Sequence, residues 1–365
     1  MLSLGALFAR KYLETATKNF ECLSESIAGR ARGTAGPSSL VWTVKGACLV
    51  AAILYLVPTV NLHRLLPALL QARWALAAIF LFHFVQLAFS SAAWQMQFPG
   101  RRLWWTCSRI RWIREGAGSL LPIGALSAAA LGSKLLSRYG ISGACAAASL
   151  AVDLAAETTG QLLFLIAGVA LIPTGRMSGH GELWLATLLL CVTGICVTFV
   201  LAQRMGLCRL IDRVAARVDA RWRKSMREAT ERFHDALMIL HARRERLGKA
   251  VMLHTTSWGL GAVEVWIAFH ALDHAISWRA AFVVESIGMA ARSAGFAIPG
   301  ALGVQETGFA FASSLFGISP ELAIACSFLT RGRELLVAAT SLVLWGREEL
   351  HVRDHQVVKL TGGPG

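Results

Sequence analysis

Six long apolar runs constrain this chain more than any other feature of its sequence. Each run has few charged side chains and is close to the length of roughly 20 mostly apolar residues that an α-helix needs to cross a bilayer. The composition agrees, because 55% of the 365 residues are apolar and only 16% are charged, whereas a soluble domain usually has about 25% charged residues. The chain is therefore predicted to be an all-α, polytopic membrane helix bundle. The runs are 41–60, 74–93, 144–172, 183–201, 251–272 and 322–345.

Basic residues are distributed unevenly among the segments that flank these runs. With the amino terminus placed in the cytoplasm, the cytoplasmic segments contain 26 Lys and Arg residues and the outer segments contain 4, as the positive-inside rule expects. The net charge of +14 is therefore attributed to membrane topology and not to nucleic-acid binding. Six crossings then place both termini in the cytoplasm. The cytoplasmic segments are 1–40, 94–115, 204–249 and 346–365, and the outer segments are 61–73, 173–182 and 273–279.

Two further segments are apolar and rich in small residues but are interrupted by proline and glycine. Proline removes one helical hydrogen bond and clashes with the preceding turn. Irregular backbone is tolerated at membrane depth only where it is buried in protein or lines a polar cavity. Each segment is therefore predicted to form a re-entrant hairpin of two half-helices. The first hairpin is 109–137, with its break at Pro122 and Gly124, and the second is 285–316, with its break at Pro299, Gly300 and Gly303.

These landmarks recur when the sequence is shifted by 177 residues. Pro122 then aligns with Pro299, and Glu157 aligns with Glu334. The apolar run before each hairpin also recurs, but the predicted topology sends the two copies across the membrane in opposite directions. Inverted repeats with broken helices are typical of secondary transporters, whose substrate site lies near the midplane between the repeats. The alternative is a pair of small-residue hairpins that simply pack tightly. The repeats are bounded as 41–203 and 250–346, and 347–365 is a cytoplasmic tail.

Charged residues within the predicted spans and beside the breaks form the candidate substrate site. An ionisable group near the membrane centre costs roughly 2.5–3.5 kcal/mol, so it usually faces a cavity or a partner. Asp153 and Glu157 share one helical face, and Arg331 and Glu334 have a spacing that permits a pair within one helix. Buried ion pairs that only hold the bundle together are the alternative. The candidate substrate-binding residues are Asp153, Glu157, Arg292, Gln305, Glu306, Arg331, Arg333 and Glu334.

The segment 204–249 combines 13 Lys and Arg residues with an apolar stripe of helical periodicity. This pattern predicts a helix or helical hairpin that lies on anionic lipid headgroups. The amino-terminal segment 1–40 is predicted to form a loosely amphipathic helix on the membrane surface. The lipid-contacting residues of the basic segment are predicted to include Arg217, Arg221, Arg223 and Lys224.

No motif in the sequence indicates a cofactor, a metal ion or a nucleotide. The Gly-x-x-x-x-Gly-Lys-Ser/Thr loop of ATPases is absent, and the eight cysteines form no CxxC pair. Two histidine pairs, 270–274 and 351–355, have helical spacing but no obvious third metal ligand, so they are interpreted as interfacial histidines.

Five short motifs carry a family resemblance. The sequence RSAGFAIPGALGVQE at 292–306, with GISPE at 317–321 and RGRE at 331–334, resembles the flippase-like transmembrane region of lysylphosphatidylglycerol synthases. Within that family, RIRWIRE at 109–115 and DLAAE at 153–157 look most like the hopanoid-biosynthesis-associated (HpnL) type. The first hairpin departs from the family pattern, because it lacks the glutamate that often follows the first proline.

The resemblance covers roughly residues 40–346 and implies a bacterial inner-membrane protein that moves lipids or supports lipid biosynthesis. The expected function is a lipid translocase that moves a phospholipid, polyprenyl-phosphate lipid or hopanoid without ATP hydrolysis. Family members that transfer aminoacyl groups carry a soluble domain after the membrane region, so a stand-alone membrane region is not expected to act as an enzyme. The alternatives are a membrane scaffold for lipid- or hopanoid-biosynthesis enzymes and an intramembrane lipid-modifying enzyme. The expected partners are membrane lipids, including anionic lipids, and lipid-biosynthesis enzymes, but not nucleic acid.

Overall fold

A computed structural model of the chain describes residues 70–98, 103–120, 124–173, 220–295 and 299–360, with short helical pieces between 182 and 198. Every regular element in these ranges is a helix, which confirms the all-α prediction for the described part. Several predicted features lie outside the described residues or have side chains that are not described. These are the segment 1–40, the span 41–60, Pro122, Arg217, and the side chains of Arg221, Arg223, Lys224 and Pro299.

The described helices fall into two similar series on either side of one separate helix. In the first series, α1 is Arg73–Gln95, α2 is Trp104–Leu120, α3 is Gly124–Ser137 and α4 is Gly143–Ala170. The separate helix α5 is Ala220–Ala242. In the second series, α6 is Arg244–Ala271, α7 is Trp278–Ala294, the 3₁₀ turn η1 is Pro299–Ala301, α8 is Val304–Ser314 and α9 is Pro320–Leu360.

The last helix of each series begins with the same local signal. Gly140 and Gly317 both have a φ of 76°, a left-handed conformation that glycine adopts without a Cβ clash. Two residues later, the hydroxyl groups of Ser142 and Ser319 accept hydrogen bonds from the backbone N–H three residues further on, at 3.3 and 3.4 Å. Such caps satisfy donors that the first helical turn leaves open. The 177-residue offset of the sequence therefore also holds for these two helix starts.

The first helices of the two series, α1 and α6, pack against each other in opposite directions. Gln71, just before α1, donates a hydrogen bond to Asp273, just after α6. Near the other end of α1, the hydroxyl groups of Ser90 and Ser257 lie 2.8 Å apart. The partner in α6 moves back along the chain as α1 moves forward, so the two helices are antiparallel.

The first hairpin helix of each series packs against the last helix of the other series. Between α2 and α9, the indole N–H of Trp112 donates to the hydroxyl of Thr340 at 3.1 Å. Between α7 and α4, the amide of Gln161 donates to the hydroxyl of Ser293 at 2.7 Å. Each series is therefore held by helices of the other, and the centre of the molecule is the contact between them.

Two of the described helices, α1 and α4, are long and apolar enough to cross a membrane, judged by length and composition. Large apolar side chains also face outward, where a bilayer would cover them. Leu81, Leu335 and Val343 have exposed fractions of 65%, 68% and 61%. The largest core cluster lies between the two series and contains Ile79, Phe269 and Phe309, all fully buried.

The described part of the basic segment contacts α4 through apolar residues of its stripe. Phe233, Leu237 and Leu240 of α5 pack against Ala148 and Val152. The small side chains of α4 leave space that the larger side chains of α5 fill. This contact corrects the sequence-based expectation in one respect, because the apolar stripe over these residues is covered by protein and not by lipid.

Candidate functional site

The charged residues of α2 and α4 meet α6 in a buried group, here called the first-half cluster. Arg111 donates to Asp153 at 3.1 Å and to Glu157 at 2.5 Å. Arg114 donates to Asp153 at 3.3 Å, and Nε2 of His254 lies 3.1 Å from the same carboxylate. Asp153 is fully buried, and a buried carboxylate is tolerated only when it is paired and hydrogen-bonded. Its three partners satisfy that condition.

A second group of charged residues, here called the junction network, connects the two series at the contact between α1, α2, α6 and α9. Arg333 donates to Glu264 and to Nδ1 of His83, both at 2.8 Å. Nε2 of His83 lies 2.8 Å from Glu115. A neutral imidazole with its proton on Nε2 fits both contacts, and this tautomer is assigned from the partners. A continuous chain of hydrogen bonds thus runs from the second series into the first.

A further ion pair, formed by Arg331 and Glu306, lies at the second break and is included in the junction network. Arg331 donates to the Glu306 carboxylate at 2.5 Å and to the Gly300 carbonyl at 2.9 Å. The other Glu306 oxygen accepts from the backbone N–H of Gly303 at 2.8 Å. Gly300 and Gly303 have φ of 61° and 83°, so the helix direction changes here. The side chains of Arg331 and Glu306 therefore provide hydrogen-bond partners for backbone groups at the break. Irregular backbone within a membrane needs such partners.

Arg292 and Glu334 form the outer part of the junction network. One nitrogen of Arg292 donates to Glu334 and, at 3.0 Å, to the amide oxygen of Gln305. Glu334 is also 3.7 Å from Arg333, which joins this pair to the central chain of hydrogen bonds. The side chains of Arg292 and Glu334 are 24% and 17% exposed. A polar molecule can therefore reach this pair from outside the bundle.

Each of the candidate residues named from the sequence lies in one of these two groups. Asp153 and Glu157 are in the first-half cluster, and the others are in the junction network. The pair that the spacing of Arg331 and Glu334 permits within α9 does not form. Arg331 binds Glu306 and Glu334 binds Arg292, because the helices at the second break supply closer partners than the same helix does.

The sequence analysis did not predict several residues that complete the two groups. A signal exists for some of them, because His83 is the one ionisable residue in the apolar run 74–93 and His254 lies inside the apolar run 251–272. Arg111 and Arg114 are three positions apart and therefore lie on one helical face, but nothing in the sequence shows which helix that face contacts. The residues missed are His83, Arg111, Arg114, Glu115 and His254.

The two series share one pairing pattern. In each, a glutamate of the last helix binds an arginine of the first hairpin helix, as Glu157 binds Arg111 and Glu334 binds Arg292. The two glutamates are 177 positions apart, whereas the arginines differ from that offset by one helical turn. The 177-residue offset therefore holds for the two glutamates but not for the two arginines.

The region that holds the two charged groups matches a known protein family. The lysylphosphatidylglycerol synthase transmembrane region matches residues 42–341. This chain belongs to that family. The match includes both charged groups and both breaks, and it confirms the family resemblance of the sequence motifs. The protein is therefore a helical membrane protein of a family with a membrane-lipid-related function. No curated protein and no solved structure matches the chain.

Proposed function

We propose that this protein moves lipids with a polar or anionic headgroup between the leaflets of a bacterial inner membrane, without ATP hydrolysis. The observation that carries the proposal is the junction network, which links the two series at the centre of the molecule. Ionisable groups in membrane helices are costly and mark substrate or ion pathways more often than structure alone. Transporters built from two repeats bind their substrates at that same contact.

The arrangement of the helices supports an inverted repeat. The first helices of the two series are antiparallel, and the first hairpin helix of each series packs on the last helix of the other series. In this proposal the chain makes six crossings, the two hairpins enter from opposite faces, and both termini lie in the cytoplasm. The basic segment 204–249 then lies at the cytoplasmic surface, where its exposed cations contact anionic lipids at about 1 kcal/mol each.

The headgroup-binding residues of the proposal are Arg292 and Arg331. A guanidinium group binds phosphate or carboxylate oxygens through two parallel N–H donors. One buried terminal nitrogen of Arg331 has no hydrogen-bond partner among the described residues, so a headgroup oxygen that reached it would satisfy an unpaired donor. A headgroup at Arg292 would replace Glu334, which is partly exposed. The headgroup thus crosses between the two series while the apolar chains of the lipid remain in the bilayer.

The substrate class of the proposal is a phospholipid, a polyprenyl-phosphate lipid or a hopanoid with a polar headgroup. The hopanoid-associated type is favoured by the motifs at 109–115 and 153–157. In the first-half cluster, Asp153 and Glu157 orient Arg111 and Arg114 and so maintain the packing of α2 against α4. Their role is positioning, since their partners occupy most of their oxygen atoms.

The extensive pairing in both groups also fits a rigid scaffold for lipid-biosynthesis enzymes. Reconstitution into vesicles separates the two functions. Vesicles carry a fluorescent anionic lipid in both leaflets, and a membrane-impermeant reductant is added outside without ATP. A translocase exposes inner-leaflet label, so protein-containing vesicles lose more fluorescence than empty ones. Loss of the outer-leaflet label alone, as in empty vesicles, would reject the translocase and leave the scaffold, and a chemically altered lipid would indicate an enzyme.

A further inference from the structure

Glu285 of α7 is a buried carboxyl group that takes no part in the ion pairs of the junction network. The residue is 8% exposed, and no described group donates a hydrogen bond to it. A Cβ atom at Gly261 of α6 would lie 2.5 Å from its Oε1. The carboxyl group therefore rests directly on the α6 backbone, in a space that exists only because residue 261 is glycine.

The charged groups that face Glu285 are already paired with one another. They are Glu264 of α6, Arg292 of its own helix, and Arg333 and Glu334 of α9. Arg333 binds Glu264, and Arg292 binds Glu334. The buried thiol of Cys326 on α9 also lies near this carboxyl and is a weak donor. No cation in the described part of the network is left to neutralise Glu285.

Acids outnumber bases in the junction network as a whole. Even with His83 protonated, the network of described residues holds five carboxyl groups and four cations. Glu264, Glu306 and Glu334 each pair with an arginine and Glu115 contacts His83, whereas Glu285 has no such partner among the described residues. Burying an unpaired carboxylate costs far more than burying the neutral acid. The acids are Glu115, Glu264, Glu285, Glu306 and Glu334, and the cations are Arg292, Arg331 and Arg333, with His83 as the fourth when it is protonated.

We propose that Glu285 carries the proton that couples lipid movement to a proton gradient. This inference rests on the proposed translocase function. An anionic headgroup bound at Arg292 adds negative charge close to Glu285 and so favours its protonated form. The headgroup and the proton therefore enter together and leave together. The step takes a proton from water on one side to the Glu285 carboxylate and returns it to water on the other, and only an O–H bond forms and breaks.

The test uses the full-length protein in vesicles with a labelled monoanionic phospholipid and an imposed pH difference. One proton moving with one lipid allows a gradient of one pH unit to shift the leaflet ratio by up to about tenfold, since one pH unit corresponds to a factor of ten in proton activity. Glu285→Gln keeps the shape of the side chain but cannot release a proton. The variant is expected to exchange labelled lipid between leaflets and to lose the response to the gradient. Glu348→Gln, which changes a buried glutamate outside the network, is the matched control and should keep the response.

The outcomes separate this inference from the function on which it rests. Absence of lipid movement by the unaltered protein would reject the translocase itself. Lipid movement that ignores the gradient, or a Glu285→Gln variant that still responds to it, would overturn the role of Glu285 alone. If Glu285→Gln does not fold, proton uptake by the unaltered protein in weakly buffered detergent decides the question, measured over a series of alkaline pH values that reaches the range where the resting carboxyl group is ionised. Addition of the monoanionic lipid should cause uptake and a zwitterionic lipid should not, and no uptake with the anionic lipid would overturn the inference.

Discussion

Two helical glycines, Gly160 of α4 and Gly248 of α6, have opposite surroundings. A Cβ atom at Gly160 would lie 2.9 Å from the backbone nitrogen of Thr255 and 3.1 Å from the Val251 carbonyl. At Gly248 it would meet nothing within 4 Å. Backbone atoms cannot move aside cheaply, so Gly160→Ala is expected to lower the free energy of unfolding by roughly 1–3 kcal/mol.

Gly248→Ala is the control, and it is expected to leave stability unchanged or raise it by up to about 1 kcal/mol, because alanine favours the helix more than glycine does. Thermal unfolding of the purified protein in detergent compares the two variants. A Gly160→Ala variant as stable as the unaltered protein would show that α4 and α6 are not in close contact there.

Sequence reasoning at the residue scale identified charged residues but not their partners. Hydropathy shows that Arg331 and Glu334 lie in an apolar helix, and their spacing permits a pair. The structure instead pairs each with a residue of the second hairpin. Pairing depends on which helix faces the charge, and a single sequence does not contain that information.

At the scale of helices, the sequence indicates where some helices begin but not which helices contact each other. The Gly140–Ser142 and Gly317–Ser319 turns begin helices for reasons that lie within a few residues, and such a signal can be read from a sequence. The amphipathic pattern of α5 predicts an apolar face but not what covers it. The apolar face of α5 is covered by α4, and the small residues of α4 that contact it lie far from α5 in the sequence.

Labelling of single cysteines tests the direction in which α6 crosses the membrane. With the eight native cysteines replaced by serine, cysteine is introduced at Leu70, Ala275 or Arg246, all of which are exposed. Leu70 and Ala275 lie beside the contact between Gln71 and Asp273, so both should react with an impermeant reagent added outside intact cells.

Arg246, at the other end of α6, should react only after the cells are opened. Reaction of Ala275→Cys and Arg246→Cys from the same side would show that α6 does not cross. The inverted-repeat topology would then be wrong, whatever the activity of the protein.

For the whole molecule, the contact between the two series determines where the charged residues of the junction network come together. The 177-residue offset predicted that two similar units exist, and the charged residues predicted that they enclose polar groups. Neither predicted that His83 and Glu115 of one series would form a hydrogen-bonded chain with Arg333 and Glu264 of the other. Such long-range contacts follow from how the units dock, which the sequence pattern of each unit does not specify.

The proposed site predicts that one ion pair matters for transport and that another, equally charged pair does not. Arg292→Gln with Glu334→Gln removes a pair of the junction network. Arg109→Gln with Glu348→Gln removes a pair between α2 and α9, 3.2 Å apart, that lies outside it. Each double variant removes one cation and one anion, so neither leaves an unpaired charge, and both are expected to fold.

The initial rate at which these two variants move a labelled anionic lipid in vesicles is the most direct test of a headgroup path between the two series. Hydrogen bonds to charged groups contribute about 1.5–3 kcal/mol, so the Arg292→Gln/Glu334→Gln variant is expected to move lipid at least about tenfold more slowly than the unaltered protein. The Arg109→Gln/Glu348→Gln variant is expected to keep most of the rate. Equal rates for the unaltered protein and the Arg292→Gln/Glu334→Gln variant would contradict the proposed path.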